Sequence, residues 1–341
     1  MGRGGTYTER TAPTNAICTM SLNEITIEIT QQCPNQCVHC SSLSSINKTF
    51  CLSLNKVINL IDEASELGCR TINLSGGEPF VHPEITKIVE HIFERRLQCY
   101  IYTSGICLVE GKPKTVSVKT LETLKGKVTK YIVNVEAANE ETYNNVMGTS
   151  FHGFDMMKQF VHNAVKQGEL VEAHFVPMKS NYRQIPDVVK MCMEMGVSRV
   201  SFLRFVPQGR GLDNEKYLKL SEEELVETRR LMAGCERKNA TGVRMGIPFH
   251  GCSKRINCMT SISKLNIRYD GNVYPCEAFK NDQPIYISHA AADNVYNKSL
   301  KDIYSNSIYL QQIRDLLDKY QSNETSETCM AQYLSNKKSV L

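Results

Sequence analysis

The sequence has no window approaching the ~18 uninterrupted apolar residues of a membrane span, and its N-terminus has no apolar stretch of the signal-peptide kind. Both absences lead to the expectation of a cytoplasmic protein. Charge of one sign is also lacking: 40 basic residues against 36 acidic ones leave +4, which excludes nucleic acid and anionic membranes as main partners. Low-complexity runs are absent, and there is no internal repeat beyond a strand–helix unit. A hydrophobic content of 41% with 20 glycines and 11 prolines excludes a disordered, collagen-like or small disulfide-stapled chain. At roughly 100 to 200 residues per domain, 341 residues make two domains or one large α/β unit with an appendage. The excess lies in cysteine. There are 14, and because cytoplasmic thiols stay reduced, so many point to metal binding or catalysis rather than to bridges.

Asn23 to Thr30 alternates Ile25, Ile27 and Ile29 with polar residues and reads as a strand leading into a cysteine-bearing loop. Leu54 to Gly68 carries apolar residues at helical spacing. The same rhythm recurs in strand Thr71 to Leu74 with helix Pro83 to Arg96, then strand Cys99 to Thr103. Strands at Tyr131 to Val135, Val171 to Val176 and Arg199 to Val206 follow, each with a helix, at Phe154 to Gly168, Ile185 to Gly196 and Ser221 to Arg237. Six βα units at this spacing require parallel strands joined by right-handed crossovers, as an open sheet or a whole or partial barrel. The ligand then sits beyond the carboxyl ends of the strands. The rhythm breaks near Thr241. Beyond it, Leu265 to Pro275 reads as a hairpin around Asp270-Gly271, and Ser299 to Tyr320 as one final helix. The expected divisions are an extension 1–22, a barrel domain 23–240 and a smaller domain 241–341.

Cys33, Cys37 and Cys40 put three thiols on the loop after the first strand. Soft ligands at this density wrap one metal centre, and thiolates select zinc or an iron–sulfur cluster. Structural zinc requires a fourth local ligand, whereas a 4Fe-4S cluster held by three cysteines leaves one iron open. Here the sequence resembles the radical S-adenosylmethionine (SAM) superfamily, whose signature is Cys-x3-Cys-x2-Cys. Gly76, Gly77, Glu78 and Pro79 resemble its GGEP motif, whose glycines and carboxylate receive the SAM amino group. Thr103-Ser104-Gly105 is similar to its Thr-Asn-Gly turn. The resemblance further implies SAM contacts for Asn134 and Glu136 at the end of the fourth strand, where the family commonly has Ser and Asp, and for Arg204 at the end of the sixth. It also implies a partial (β/α)6 TIM-like barrel.

Cys252, Cys258, Cys276 and Cys329 form a second set. Its alternatives are a zinc site or free buried thiols. The run from Cys258 through Gly271 to Cys276 resembles the opening of SPASM and twitch domains, and the Cys-x5-Cys start is most similar to anaerobic sulfatase maturases. Because the further Cys-x2-Cys-x5-Cys segment of a full SPASM domain is missing, the resemblance implies one auxiliary 4Fe-4S cluster in a small α+β twitch-like domain.

By resemblance, the protein cleaves SAM to a 5′-deoxyadenosyl radical that takes a hydrogen from substrate, and draws electrons from a donor such as flavodoxin or ferredoxin. A fully ligated auxiliary cluster implies an electron acceptor and a net oxidation, with Glu277 as the base, in the position where a carboxylate follows this cysteine in the maturases. A hydrogen atom returned by a spare cysteine implies redox-neutral epimerisation instead. Peptide modification is favoured over a small-molecule dehydrogenase, epimerase or decarboxylase of antibiotic, nucleoside or tetrapyrrole synthesis. Some 22 residues before the first strand are expected to be too few for a leader-peptide-binding domain of ordinary size. A zinc-stabilised binding module or a redox-only iron–sulfur protein explains the cysteines but not Gly76 to Pro79.

Overall fold

The computed structural model describes residues 21–238, 242–246, 258–280, 291–322 and 329–331. Strand β1 (Glu24–Thr30) turns Ile25, Ile27 and Ile29 into the core, where all three are fully buried. Helix α1 (Leu54–Glu66) starts where the Ser53 side chain accepts from the Lys56 amide, and covers the strand with Val57, Leu60, Ile61 and Ala64. Strand β2 (Thr71–Gly76), helix α2 (Ile85–Glu94) and strand β3 (Gln98–Thr103) repeat the unit. A hairpin of β4 (Ile106–Val109) and β5 (Lys112–Thr115) and helix α3 (Val118–Leu124), none of them expected, intervene before β6 (Lys130–Asn134). Helices α4 (Glu140–Met147) and α5 (Gly153–Lys166) lead to β7 (Val171–Phe175), α6 (Ile185–Glu194) and β8 (Arg199–Phe202). The last strand is shorter than expected, ending four residues before Val206.

Two single-turn helices, α7 (Arg210–Asp213) and α8 (Glu215–Leu218), precede α9 (Glu222–Lys238) and strand β9 (Val243–Met245). The hairpin around Asp270-Gly271 is β10 (Lys264–Ile267) with β11 (Val273–Tyr274). The single final helix expected over Ser299 to Tyr320 is two, α10 (Leu300–Asn306) and α11 (Ile308–Ser322). Ser307 separates them because its backbone is extended and its hydroxyl accepts from the Leu310 amide, capping the second helix.

Among the described residues the main sheet has nine strands in the order β11-β10-β1-β2-β3-β6-β7-β8-β9, parallel throughout except for β11. This is the α/β partial barrel. The six expected strands lie side by side in chain order, because short right-handed crossovers seat each next strand beside the last. Strand β10 extends that sheet past β1, pairing Glu24 with Lys264 and Thr26 with Asn266, so the C-terminal hairpin shares the barrel wall. The inward side of β1 is polar, with Thr26, Glu28 and Thr30 all buried. No helix among the described residues is long and apolar enough to cross a membrane.

Helix α4 begins at Asn139, whose side chain accepts from the Thr142 amide at 2.9 Å, and ends at Gly148 in the left-handed conformation. Replacing the cap, Asn139→Ala, is expected to cost about 1 kcal/mol, read as a lowered thermal midpoint. A midpoint equal to the parent's would show that packing alone sets this helix start.

Candidate active site

The loop after β1 is strapped from two sides. On one, the Gln36 and Val38 amides donate to the carbonyls of Met147 (3.1 Å) and Val146 (2.9 Å) at the end of α4. A Cβ at Gly148 would stand 2.3 Å from the Gln36 carbonyl, so only glycine lets the helix end approach this closely. On the other side, Arg210 donates from Nε to the Cys37 carbonyl (2.9 Å) and from Nη2 to that of Ser44 (2.7 Å). Asn214 Nδ2 donates to the Val38 carbonyl at 3.0 Å, and the Arg210 amide to that of Cys40 at 3.0 Å. Arg210 and Asn214 are positioning residues that sequence reasoning missed. Nothing in their spacing announces a contact made across 173 residues.

Held in this way, Cys33, Cys37 and Cys40 converge. Burial pushes the Cys33 thiol well up, and the neighbouring charges of Cys37, Glu78 and Cys40 push it further. Cys37 is raised by burial and by Cys40, against the pull of Arg210. Crowded, desolvated thiols with a cation alongside resist ionising alone, a cost that binding to a metal removes.

Glu78 sits against this loop at the end of β2, nearly inaccessible. Its carboxylate is committed within the protein: Oε1 accepts from Thr103 Oγ1 (2.6 Å) and the Phe80 amide (3.3 Å), Oε2 from the Ser104 hydroxyl (2.7 Å) and amide (2.8 Å). Burial raises its pKa to about 7 even so, with these hydrogen bonds pulling it back. Glu78 therefore ties the ends of β2 and β3 together, and Ser104 serves that tie. Pro79 opens the following 3-10 turn.

Glu136 lies just past β6 and is fully buried. Its Oε2 accepts from the Val176 amide at 2.9 Å, while Oε1 has no partner. Burial lifts its pKa to about 8, and burial together with Arg210 lowers that of His39 to about 4. The 3.7 Å approach of His39 to Glu136 is thus one between a neutral imidazole and a largely protonated carboxyl at neutral pH, not an ion pair. Asn134 ends β6, half-buried and in register with His174. At Arg204 burial lowers the pKa, the charged neighbours are Cys329 and Tyr320, and Nη1 is buried without a partner. The three soft thiols fit an iron–sulfur cluster with an open corner, and the orphaned Glu136 oxygen fits the polar end of a ligand at that corner.

The second cysteine set also comes together. Cys258 and Cys276 each feel the charge of Cys329, and burial pushes the Cys276 thiol up to about 12. Cys252 lies outside the described residues. Glu277, next to Cys276, accepts from Thr26 Oγ1 at 2.5 Å, which brings it to the inward face of β1. Glu277 is an exposed residue whose carboxylate is nevertheless anchored to the protein through Thr26. Burial would raise its pKa, but the Lys264 ammonium and the Thr26 hydroxyl outweigh that and hold it below the usual range. Opposite, Glu172 accepts from Ser201 Oγ (2.5 Å) and pairs with Lys130 (2.7 Å), and the His174 ring meets that of Tyr102 edge-on.

A partial barrel with three thiols, two buried carboxylates and paired glycines at its strand ends is the architecture of radical SAM enzymes. Residues 27–192 match the family model of the radical SAM superfamily, and residues 258–330 match SPASM, an iron–sulfur cluster-binding domain. Together these take in more than half of the chain, which belongs to the radical SAM superfamily and carries a SPASM domain. It is similar to the PqqA peptide cyclase of Gluconobacter oxydans, 26% identical over 290 residues that cover 82% of this chain and 75% of the relative. The AdoMet-dependent heme synthase of Methanosarcina barkeri is 24% identical over 309 residues, 84% of this chain and 83% of that one. Among solved structures, Streptococcus suis SuiB bound to its precursor peptide SuiA superposes with a TM-score of 0.68 at 17% identity, over 86% of this chain and 67% of that one. At that identity the likeness to SuiB is one of fold.

Proposed function

We propose that the protein is a radical SAM oxidoreductase that modifies a peptide side chain, with one auxiliary 4Fe-4S cluster as electron acceptor and Glu277 as base. Cys33, Cys37 and Cys40 would hold the first cluster, and Cys252, Cys258, Cys276 and Cys329 would ligate the auxiliary one. Bound SAM supplies a 5′-deoxyadenosyl radical that takes a hydrogen atom from an unactivated carbon. The chain's own residues do the rest. Gly76 and Gly77 let the end of β2 meet the cysteine loop, Glu136 offers its unpartnered oxygen, and the barrel wall excludes water.

The carrying observation is the Glu277 carboxylate bonded to Thr26, the third residue of the strand that leads into the first cysteine loop. Thr26, Glu28 and Thr30 share the inward face of β1, so Glu277 faces the barrel interior below the loop that bears the first cysteines. Peptide as substrate class is supported by the kinship with PqqA peptide cyclase and by the shared fold of SuiB, seen with its precursor peptide. A small tetrapyrrole-like substrate is the second reading, favoured by the similarity to AdoMet-dependent heme synthase. A flavodoxin or ferredoxin is the proposed reductant.

Anaerobic reconstitution tests this reading. About eight irons and eight sulfides per chain are expected, with 5′-deoxyadenosine formed from SAM under dithionite. Replacing Cys33, Cys37 and Cys40 together by alanine should halve the iron and abolish cleavage, whereas Cys258→Ala with Cys276→Ala should halve the iron and leave cleavage intact. A protein without labile sulfide, or one leaving SAM whole, overturns the reading. Deuterium entering product from solvent water would replace oxidation by epimerisation.

A further inference from the structure

Lys264 opens β10, in register with Glu24, and its Nζ lies 3.8 Å from the Glu24 carboxylate. The turn before it begins at Cys258. Within that turn the Ile262 and Ser263 amides donate to the Met259 carbonyl (3.2 and 3.1 Å), and Thr260 bridges to Lys264. The Ser261 amide donates to the Pro275 carbonyl at 3.1 Å, pinning the Cys258 turn onto the residue that precedes Cys276. One cation thus stands where the two cysteine-bearing segments are fastened together. Glu277 bonds Thr26, the next inward residue along β1 from Glu24, so its carboxylate faces the same cation. The groups acting on the Lys264 ammonium are Glu277, Cys276, Glu24 and Cys258.

We propose that Lys264 is a positioning residue that sets the auxiliary cluster's readiness to accept an electron: its fixed positive charge, shared between the Cys258–Cys276 site and Glu277, stabilises the reduced cluster. The inference rests on the reading that Cys258 and Cys276 ligate a cluster. Gaining one electron adds one negative charge to a thiolate-ligated cluster, and an ammonium that acts on both thiols favours that more negative state. Arginine keeps the charge; glutamine and methionine remove it.

The test is a redox titration of the reconstituted protein followed by electron paramagnetic resonance, with the Cys33–Cys37–Cys40 cluster as an internal reference. In Lys264→Gln and Lys264→Met the reduction constant of the auxiliary cluster should fall about tenfold, 59 mV for one electron, while the reference cluster stays put. Lys264→Arg should restore the parent value. An unmoved auxiliary midpoint in the neutral variants overturns the proposal, as does loss of the cluster from both neutral variants while arginine retains it, which assigns a structural role instead. If Cys258→Ala with Cys276→Ala keeps all the iron of the parent, the underlying reading fails, an outcome distinct from an unmoved midpoint.

Discussion

Gly77→Ala is expected to be as inactive in SAM cleavage as the protein lacking Cys33, Cys37 and Cys40, a loss of at least about 100-fold. A Cβ at position 77 would stand 2.1 Å from the Gln32 carbonyl oxygen, 2.6 Å from its carbon and 2.7 Å from the Gln31 carbonyl. All three are backbone atoms, so no side chain can swing away. The Gly77 amide also donates to the Thr30 carbonyl at 2.6 Å and the Glu78 amide to that of Gln32 at 2.9 Å, drawing the strands together where the methyl would force them apart. Nor can the loop retreat freely: the Gln31 amide bonds the Phe50 carbonyl, its side chain bonds Tyr269 and Ser42, and the Cys33 amide bonds Ser45. Relief has to come from Gln32 and therefore from Cys33 beside it. Overpacking of this kind costs about 1 to 3 kcal/mol, too little to unfold the barrel but enough to misplace a ligand by the ångström that matters. Iron content should fall by up to half and 5′-deoxyadenosine formation should collapse while far-ultraviolet circular dichroism stays near that of the parent. Cleavage within threefold of the parent would show that this backbone contact is dispensable.

The barrel strands were legible because each buries one apolar face under helices, as the isoleucines of β1 do, and the covering helices show the matching period. The intervening pieces were not. Helices α7 and α8 are single turns with no period to read, yet Arg210 within them holds the cysteine loop. The break at Ser307 was hidden because one serine between two helical stretches leaves the apolar spacing nearly intact. Inward polar residues carry no sequence signal of their own: Glu28 and Glu172 alternate with apolar neighbours as solvent-facing residues do, yet both are buried, because inside a barrel that alternation marks the lumen. At the site, motif spacing singled out the cysteines and Glu78 as candidates. It did not reveal that the Glu78 carboxylate is taken up by Thr103 and Ser104, or that Arg204 lies by Cys329, since both depend on which loops meet in space.

Lys280→Met is expected to lower the thermal midpoint by roughly 6 to 15 °C, the consequence of about 3 to 5 kcal/mol lost. Lys280 and Glu28 form an ion pair whose side chains are only 7% and 1% exposed, with Nζ 2.5 Å from Oε1. Ser42 closes a triangle, accepting from Lys280 at 2.8 Å and donating to Glu28 at 3.0 Å. The other Glu28 oxygen has no partner, so without the ammonium a buried carboxylate keeps one hydroxyl donor. That uncompensated charge, more than the lost attraction, is what destabilises. Adding Glu28→Gln should therefore recover part of the loss, making the double variant more stable than Lys280→Met alone; a simple sum of the two single effects would refute a buried-charge origin. Ser42 follows Cys40 by two residues and Lys280 follows Cys276 by four, so the triangle fastens both cysteine-bearing loops to one point of β1. Loosening it is expected to reduce iron loading at both sites together, whereas the cysteine variants reduce it at one.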